Sequence, residues 1–134
     1  VIEAVAHLPT GGEGGSLNEG FADFFAFAQL GSPYMGEVAS VKTPFSRSLL
    51  TLVKLSEKNG GLYHDSAILS GLLWNFYQNL GEDAGLKLAS RLLVEFSPNS
   101  DFDKLKEILP TVMADVLGPD DLKKAQKIAE NRGF

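Results

Sequence analysis

The chain has 134 residues, a formal net charge of −5 and 44% hydrophobic residues, which suits one domain with a buried core. The negative charge argues against nucleic acid as a partner, and no apolar run reaches the roughly 18 residues of a membrane span without polar interruption. The absence of cysteine excludes disulfides and a thiolate zinc site.

The first eight residues, V-I-E-A-V-A-H-L, predict the end of a helix. No helix start signal precedes them, and Pro9 with the glycines that follow is a strong stop signal. His7 is interpreted as a surface or packing residue, because a lone histidine is usually not a ligand.

Residues 14–30 predict a buried helix. Ser16 and Glu19 stand three apart, the spacing of a capping box, which places the helix start at about Leu17. The helical spacing also predicts a core stripe that consists of Leu17, Phe21, Phe24 and Ala28.

Glu19 and Asp23 lie one turn apart on this predicted helix and so point the same way. Two carboxylates in apolar surroundings need a cation, a shared proton or strong hydrogen-bond donors. The pair therefore predicts a site or half of one. The alternatives are that Glu19 closes the capping box while Asp23 meets a basic residue, or that the pair binds some other cation.

The string N-E-G-F-A-D-F-F-A, which begins at Asn18, resembles the second zinc-binding segment of the gluzincins, the thermolysin-like and fungalysin-like metallopeptidases. The resemblance implies that Glu19 is the third zinc ligand and that Asn18 binds substrate. It also implies that Asp23 orients a zinc-bound histidine through the other ring nitrogen of that histidine.

The first zinc motif of the family, H-E-x-x-H, does not occur in this chain, whose two histidines are His7 and His64. In the family, its second histidine precedes the glutamate ligand by roughly twenty residues. Counting back from Glu19 reaches the neighbourhood of Val1. We therefore expect H-E-x-x-H to lie immediately upstream, on a helix that residues 1–8 continue.

Residues 31–62 predict an irregular segment on the substrate side, in which residues 46–56 form either a helix or an extended stretch. Arg47 stands in a string that resembles the L-R-S segment of the family. That resemblance implies that its guanidinium binds a substrate carbonyl, for which its fixed donors are suited. The alternative is a solvated or salt-bridged arginine.

Residues 59–68 begin with Asn-Gly-Gly, which predicts a turn, and Asp65 or Ser66 is expected to cap a helix that ends before Gly81. The string resembles the family's N-G-G-x-H-x-x-S-x-I, whose histidine stabilises the oxyanion. Anchoring on Asn-Gly-Gly with one inserted residue gives this role to His64, whereas the ungapped register gives it to Tyr63. The alternative is that both side chains only cap the helix entrance.

The remaining chain predicts helices over residues 82–96, from a cap at Ser100 with Asp103 to Gly118, and from Pro119 to Gly133. Pro110 is expected to kink or split the second of these. Three lysines of the last helix form a solvated face. These helices loosely resemble the helical lobe of the family and carry no specific motif.

The sequence therefore predicts an all-α fold of about six helices in a single domain over residues 1–134, resembling the C-terminal helical lobe of a gluzincin. Its parts are residues 1–30 with the glutamate ligand, residues 31–62 on the substrate side, and the lobe of residues 63–134. The resemblance implies a zinc-dependent peptidase acting on a peptide or protein, secreted or at the cell envelope by analogy. We expect the chain to be inactive without the upstream segment. The alternative is a non-catalytic helical binding module.

Overall fold

The computed structural model describes residues 8–31, 34–35, 47–48 and 52–134. Within these ranges the fold is all-α, as predicted, with five α-helices. They are α1 (Gly12–Leu30), α2 (Leu62–Leu80), α3 (Glu82–Glu95), α4 (Phe102–Val116) and α5 (Pro119–Asn131). The helix predicted over residues 1–8 falls outside the described residues except for Leu8, which is buried and not helical.

Between α1 and α2, the described residues form two short strands and one 3₁₀ turn. Strands β1 (Tyr34–Met35) and β2 (Arg47–Ser48) pair antiparallel, with Tyr34 opposite Ser48. A single 3₁₀ turn, Leu55–Glu57, follows them. Residues 46–56 were predicted to be helical or extended. Their described part is extended at Arg47–Ser48 and enters the 3₁₀ turn at Leu55.

Helix α1 begins at Gly12 rather than at the predicted Leu17, and the expected Ser16–Glu19 capping box is wrong. The Ser16 hydroxyl lies inside the helix and donates to the carbonyl of Leu62 over 3.0 Å. A Cβ at Gly14 would lie 2.6 Å from the Pro9 ring, and one at Gly15 would lie 2.8 Å from the Thr10 backbone. The glycines therefore extend the helix because the chain before it packs against their bare backbone.

Helices α1 and α2 run in the same direction. Ser16 contacts Leu62, and one turn later Gly20 packs so closely on α2 that a Cβ there would lie 3.0 Å from the Ser66 carbonyl oxygen. Further along, the rings of Phe24 and Tyr77 meet edge to face at 6.1 Å. The N-termini of both helices therefore lie at one end of the pair, which requires the long connection formed by residues 31–61.

Helix α2 is the central element, since it packs against α1, α3 and α5. It ends at Leu80 as predicted, and Gly81 follows with φ +99°, but it begins at Leu62 rather than after Asp65 or Ser66. On its α5 side, Arg132 is only 3% exposed, and its Nε donates to Asn75 Oδ1 over 2.6 Å. Burial lowers the pKa of Arg132 to about 10.

Helix α4 is capped by Asp101, whose carboxylate accepts from the Lys104 N–H over 2.9 Å, so the expected cap by Ser100 with Asp103 is wrong. Of the two alternatives predicted for Pro110, a kink or a split, the split does not occur, because the helix is continuous through it. Pro110 is exposed, so water can reach the carbonyl that loses its helical donor there. Helix α5 starts at Pro119, as predicted.

In the part of the chain that the structure describes, no helix combines the length and the apolar character needed to cross a membrane.

Candidate functional site

The two carboxylates predicted to serve a zinc site lie on successive turns of α1. Asp23 is only 4% exposed, whereas Glu19 is partly buried, and each has an interaction partner. With about 100° per residue, Asp23 falls on the same stripe of α1 as Ser16 and Gly20, which contact α2. Glu19 lies at the edge of that stripe. The helix thus places one carboxylate in the α1–α2 contact and the other beside it.

The Asn-Gly-Gly turn and the first turn of α2 are joined by the carboxylate of Asp65. Its Oδ1 accepts the Asn59 N–H over 3.0 Å and its Oδ2 accepts the Gly60 N–H over 2.9 Å. The Nδ1 atom of His64 lies 3.0 Å from the same Oδ1. Asn59 in turn accepts the Gly61 N–H at its side-chain oxygen over 2.8 Å. We call these residues, 59–61 with His64 and Asp65, the Asp65 turn.

Asp65 is ionised in this setting although it is only 1% exposed. Burial opposes ionisation and is the largest single effect, but the hydrogen bonds from His64, Asn59 and Gly60 together outweigh it. The pKa of Asp65 therefore lies below its ordinary value of 3.8. A buried anion held this way fixes both the turn and the imidazole ring.

The two candidates for the oxyanion donor lie on different faces of the first turn of α2. The side chain of His64 is 41% exposed, and Tyr63 is 57% exposed with an interaction partner. His64 lies about 200° around the helix from Leu62, which contacts α1, and Tyr63 lies about 100° from it. Tyr63 is thus the nearer of the two to the face toward α1. The choice between them remains a prediction.

The structure says less about the two residues predicted to bind substrate, Arg47 and Asn18. Arg47 lies in β2, where it pairs with Met35, and the structure describes its backbone only. Asn18 is partly buried in α1 and its Nδ2 donates to the Pro9 carbonyl over 3.5 Å. Their roles toward a substrate remain predictions.

The sequence reasoning missed a junction that fixes the same end of the α1–α2 pair. Glu13 pairs with the Lys58 ammonium and also accepts the Phe102 N–H over 3.0 Å, at the start of α4. Lys58 lies 5.9 Å from the centre of the Phe102 ring. Hydrogen bonding to Glu13 raises the pKa of Lys58. In the sequence, Glu13 shows only as an acidic residue near a helix start, because its partners Lys58 and Phe102 lie far away along the chain.

Glu19 and Asp23 can be compared with the ligands that a zinc site requires. A catalytic zinc site takes three protein ligands, and a glutamate oxygen is a suitable one. Among the described residues, no three His, Cys, Asp or Glu side chains converge. Glu19 and Asp23 are two carboxylates on one helix, fewer than the three protein ligands of such a site.

Comparison with models of known protein families gives no match, and neither does comparison with curated proteins. The gluzincin resemblance therefore depends on the strings around Glu19, Arg47 and His64.

Proposed function

We propose that this chain is part of a zinc-dependent peptidase, to which it supplies the third metal ligand and groups that stabilise the transition state. The observation that carries the proposal is the placement of Asp23, a buried carboxylate one turn after the partly buried Glu19. A buried carboxylate suits a group that accepts a hydrogen bond from a liganding histidine and so fixes its ring. Zinc in such a site activates water and polarises the scissile carbonyl.

The Asp65 turn bears on how His64 could stabilise an oxyanion. If His64 donates its Nδ1–H to Asp65, the Nε2 atom of the neutral ring is an acceptor and cannot donate to an oxyanion. An oxyanion donor at Nε2 of His64 therefore requires the doubly protonated ring. In the ungapped register, Tyr63 has the oxyanion role instead. Its neutral hydroxyl can donate a hydrogen bond to the oxyanion without taking up a proton.

The remaining parts of the proposed enzyme follow from the resemblance. The upstream H-E-x-x-H segment would supply two histidine ligands and the general base. Arg47 and Asn18 would contact a peptide substrate. On this proposal, the purified chain of 134 residues does not hydrolyse peptides and binds zinc weakly.

The test is a Glu19→Gln substitution in the full-length protein, with Asp23→Asn alongside. The matched control is Glu107→Gln, an exposed glutamate of α4 far along the chain from the proposed ligand. Zinc affinity is measured by competition with a chelator, and peptidase activity as kcat/KM. We expect Glu19→Gln to abolish activity and Asp23→Asn to weaken zinc binding by about 10- to 100-fold, as for other groups that orient a ligand.

The competing function is a helical binding module that never holds zinc. Equal zinc affinity in Glu19→Gln, Asp23→Asn and Glu107→Gln would overturn the peptidase proposal and support that module. Peptide hydrolysis by the isolated chain would contradict the division of the site between two segments.

A further inference from the structure

We propose that Asn59–Gly60 is a site of spontaneous backbone modification, at which the folded protein promotes ring closure of the asparagine to a succinimide. The proposal depends on how the Asp65 turn holds the two reacting groups. It is independent of the peptidase proposal, because it involves no metal, substrate or upstream segment.

The electrophile is the side-chain amide carbonyl of Asn59. Its oxygen accepts the Gly61 N–H over 2.8 Å, so the side chain is folded over the following peptide unit. That N–H polarises the carbonyl and stabilises the negative charge that develops on its oxygen during attack. Asn59 is exposed, so ammonia can leave and water can enter.

The nucleophile is the backbone nitrogen of Gly60. Its N–H points to Oδ2 of Asp65 at 2.9 Å, and Oδ1 of the same carboxylate holds the Asn59 N–H at 3.0 Å. One buried anion thus fixes the peptide groups on both sides of the Asn59 Cα and is positioned to accept the Gly60 proton. Gly60 has φ +88° and no side chain, so nothing obstructs the approach.

The chemistry balances without a co-reactant other than water. The Gly60 nitrogen forms a bond to Asn59 Cγ and passes its proton to Asp65, and the tetrahedral centre expels the side-chain nitrogen as ammonia after protonation. Water then opens the five-membered imide at either carbonyl. Opening at Cγ breaks the Cγ–N bond and gives aspartate at position 59. Opening at the backbone carbonyl breaks its bond to the Gly60 nitrogen and gives isoaspartate, in which the main chain continues through Cγ and the former backbone carbonyl becomes the free carboxylate. Either product places a new carboxylate beside His64 and Asp65.

The chain provides an internal control in Asn99–Ser100, another exposed asparagine in a turn. Its following N–H, that of Ser100, donates to the Ser97 carbonyl over 3.0 Å rather than to a carboxylate. The two sites differ in intrinsic sequence reactivity, but each can be compared with itself in the folded and unfolded chain. Any general effect of folding appears at both sites, and the effect of the Asp65 turn appears only at Asn59.

The test follows both asparagines by peptide mapping and mass spectrometry during incubation at neutral pH, in the folded protein and in the same protein unfolded by urea. We expect modification of Asn59 to be at least about tenfold faster when folded, a small part of what a positioned proton acceptor contributes in enzymes. Asn99 should show no such acceleration. Equal or slower modification of folded Asn59 would overturn the proposal and mean that the turn protects the asparagine.

A second measurement uses Asp65→Asn, checked for retained helicity by circular dichroism. We expect its Asn59 rate to fall to that of the urea-unfolded chain, with Asn99 unchanged. A rate at Asn59 equal to or above that of the folded wild type would exclude Asp65 as the proton acceptor. If this variant does not fold, the comparison of folded with unfolded wild type still decides the question.

Discussion

At the scale of single residues, Asp65 joins the Asn-Gly-Gly turn to the first turn of α2. It accepts two backbone N–H groups and contacts the His64 ring while almost completely buried. An asparagine at position 65 has only one acceptor oxygen, so its NH₂ group would face one of the two backbone N–H donors. We therefore expect Asp65→Asn to lower the free energy of unfolding by about 1–3 kcal/mol at neutral pH, measured by urea denaturation.

The pH dependence of that loss follows from the lowered pKa of Asp65. A depressed carboxylate pKa means that the unfolded state binds more protons, so the stabilisation is present above 3.8 and is lost as pH falls through the lower folded value. The difference between wild type and Asp65→Asn should therefore shrink below pH 3.8. Asp83→Asn, whose side chain is 92% exposed, should behave as wild type throughout. A constant difference at all pH values would contradict the assigned ionisation.

Sequence reasoning at this scale identified residue types better than their contacts. Asp65 was considered only as a helix cap, because its partners Asn59 and Gly60 precede the helix and a longer loop of this kind has no simple spacing rule. Ser16 was interpreted as a cap, although its hydroxyl bonds to Leu62 across the fold. A local pattern such as S-x-x-E cannot show that a distant carbonyl competes for the same hydroxyl.

At the scale of elements, the ends of the helices were easier to predict than their beginnings. Gly31 and Gly81 follow α1 and α2 with positive φ, which glycine adopts without strain, and both ends were predicted. The starts of α1 and α2 both lie earlier than predicted. In α1 this is because glycines, which are weak helix formers, are included where Pro9 and Thr10 pack against them, so tertiary contact overrides propensity there.

The same close approach makes a prediction for the contact between α2 and α3. A Cβ at Gly85 would lie 2.6 Å from the Tyr77 Cα, a backbone atom that cannot move without shifting a helix. We expect Gly85→Ala to lower the free energy of unfolding by about 1–2 kcal/mol, since overpacking exceeds the gain in helix propensity. Ser90→Ala, at an exposed position of α3, should change stability by less than about 0.5 kcal/mol. Equal stability of Gly85→Ala and wild type would show that the two helices can separate at no cost.

At the scale of the whole molecule, the parallel arrangement of α1 and α2 relates the fold to the candidate site. It brings the start of α2, with Tyr63 and His64, to the same end as the first turns of α1, which lead to Glu19. The all-α class was predictable from the apolar strings alone. The parallel direction was not, because it depends on contacts between residues far apart in the sequence, such as Ser16 with Leu62.

The central position of α2 predicts an order of local stability that amide hydrogen exchange can measure. Ten of its nineteen residues are buried, whereas α5 buries only Ala125 and Ala129 among its thirteen. Opening α5 exposes little apolar surface, while opening α2 exposes the core shared with α1 and α3. We therefore expect the amides around Leu72 to exchange only through global unfolding and those of α5 to exchange faster through local opening. If α5 exchanged as slowly as α2, the buried contacts of Arg132 with Asn75 and Gly71 would have to join α5 to the core as one cooperative unit.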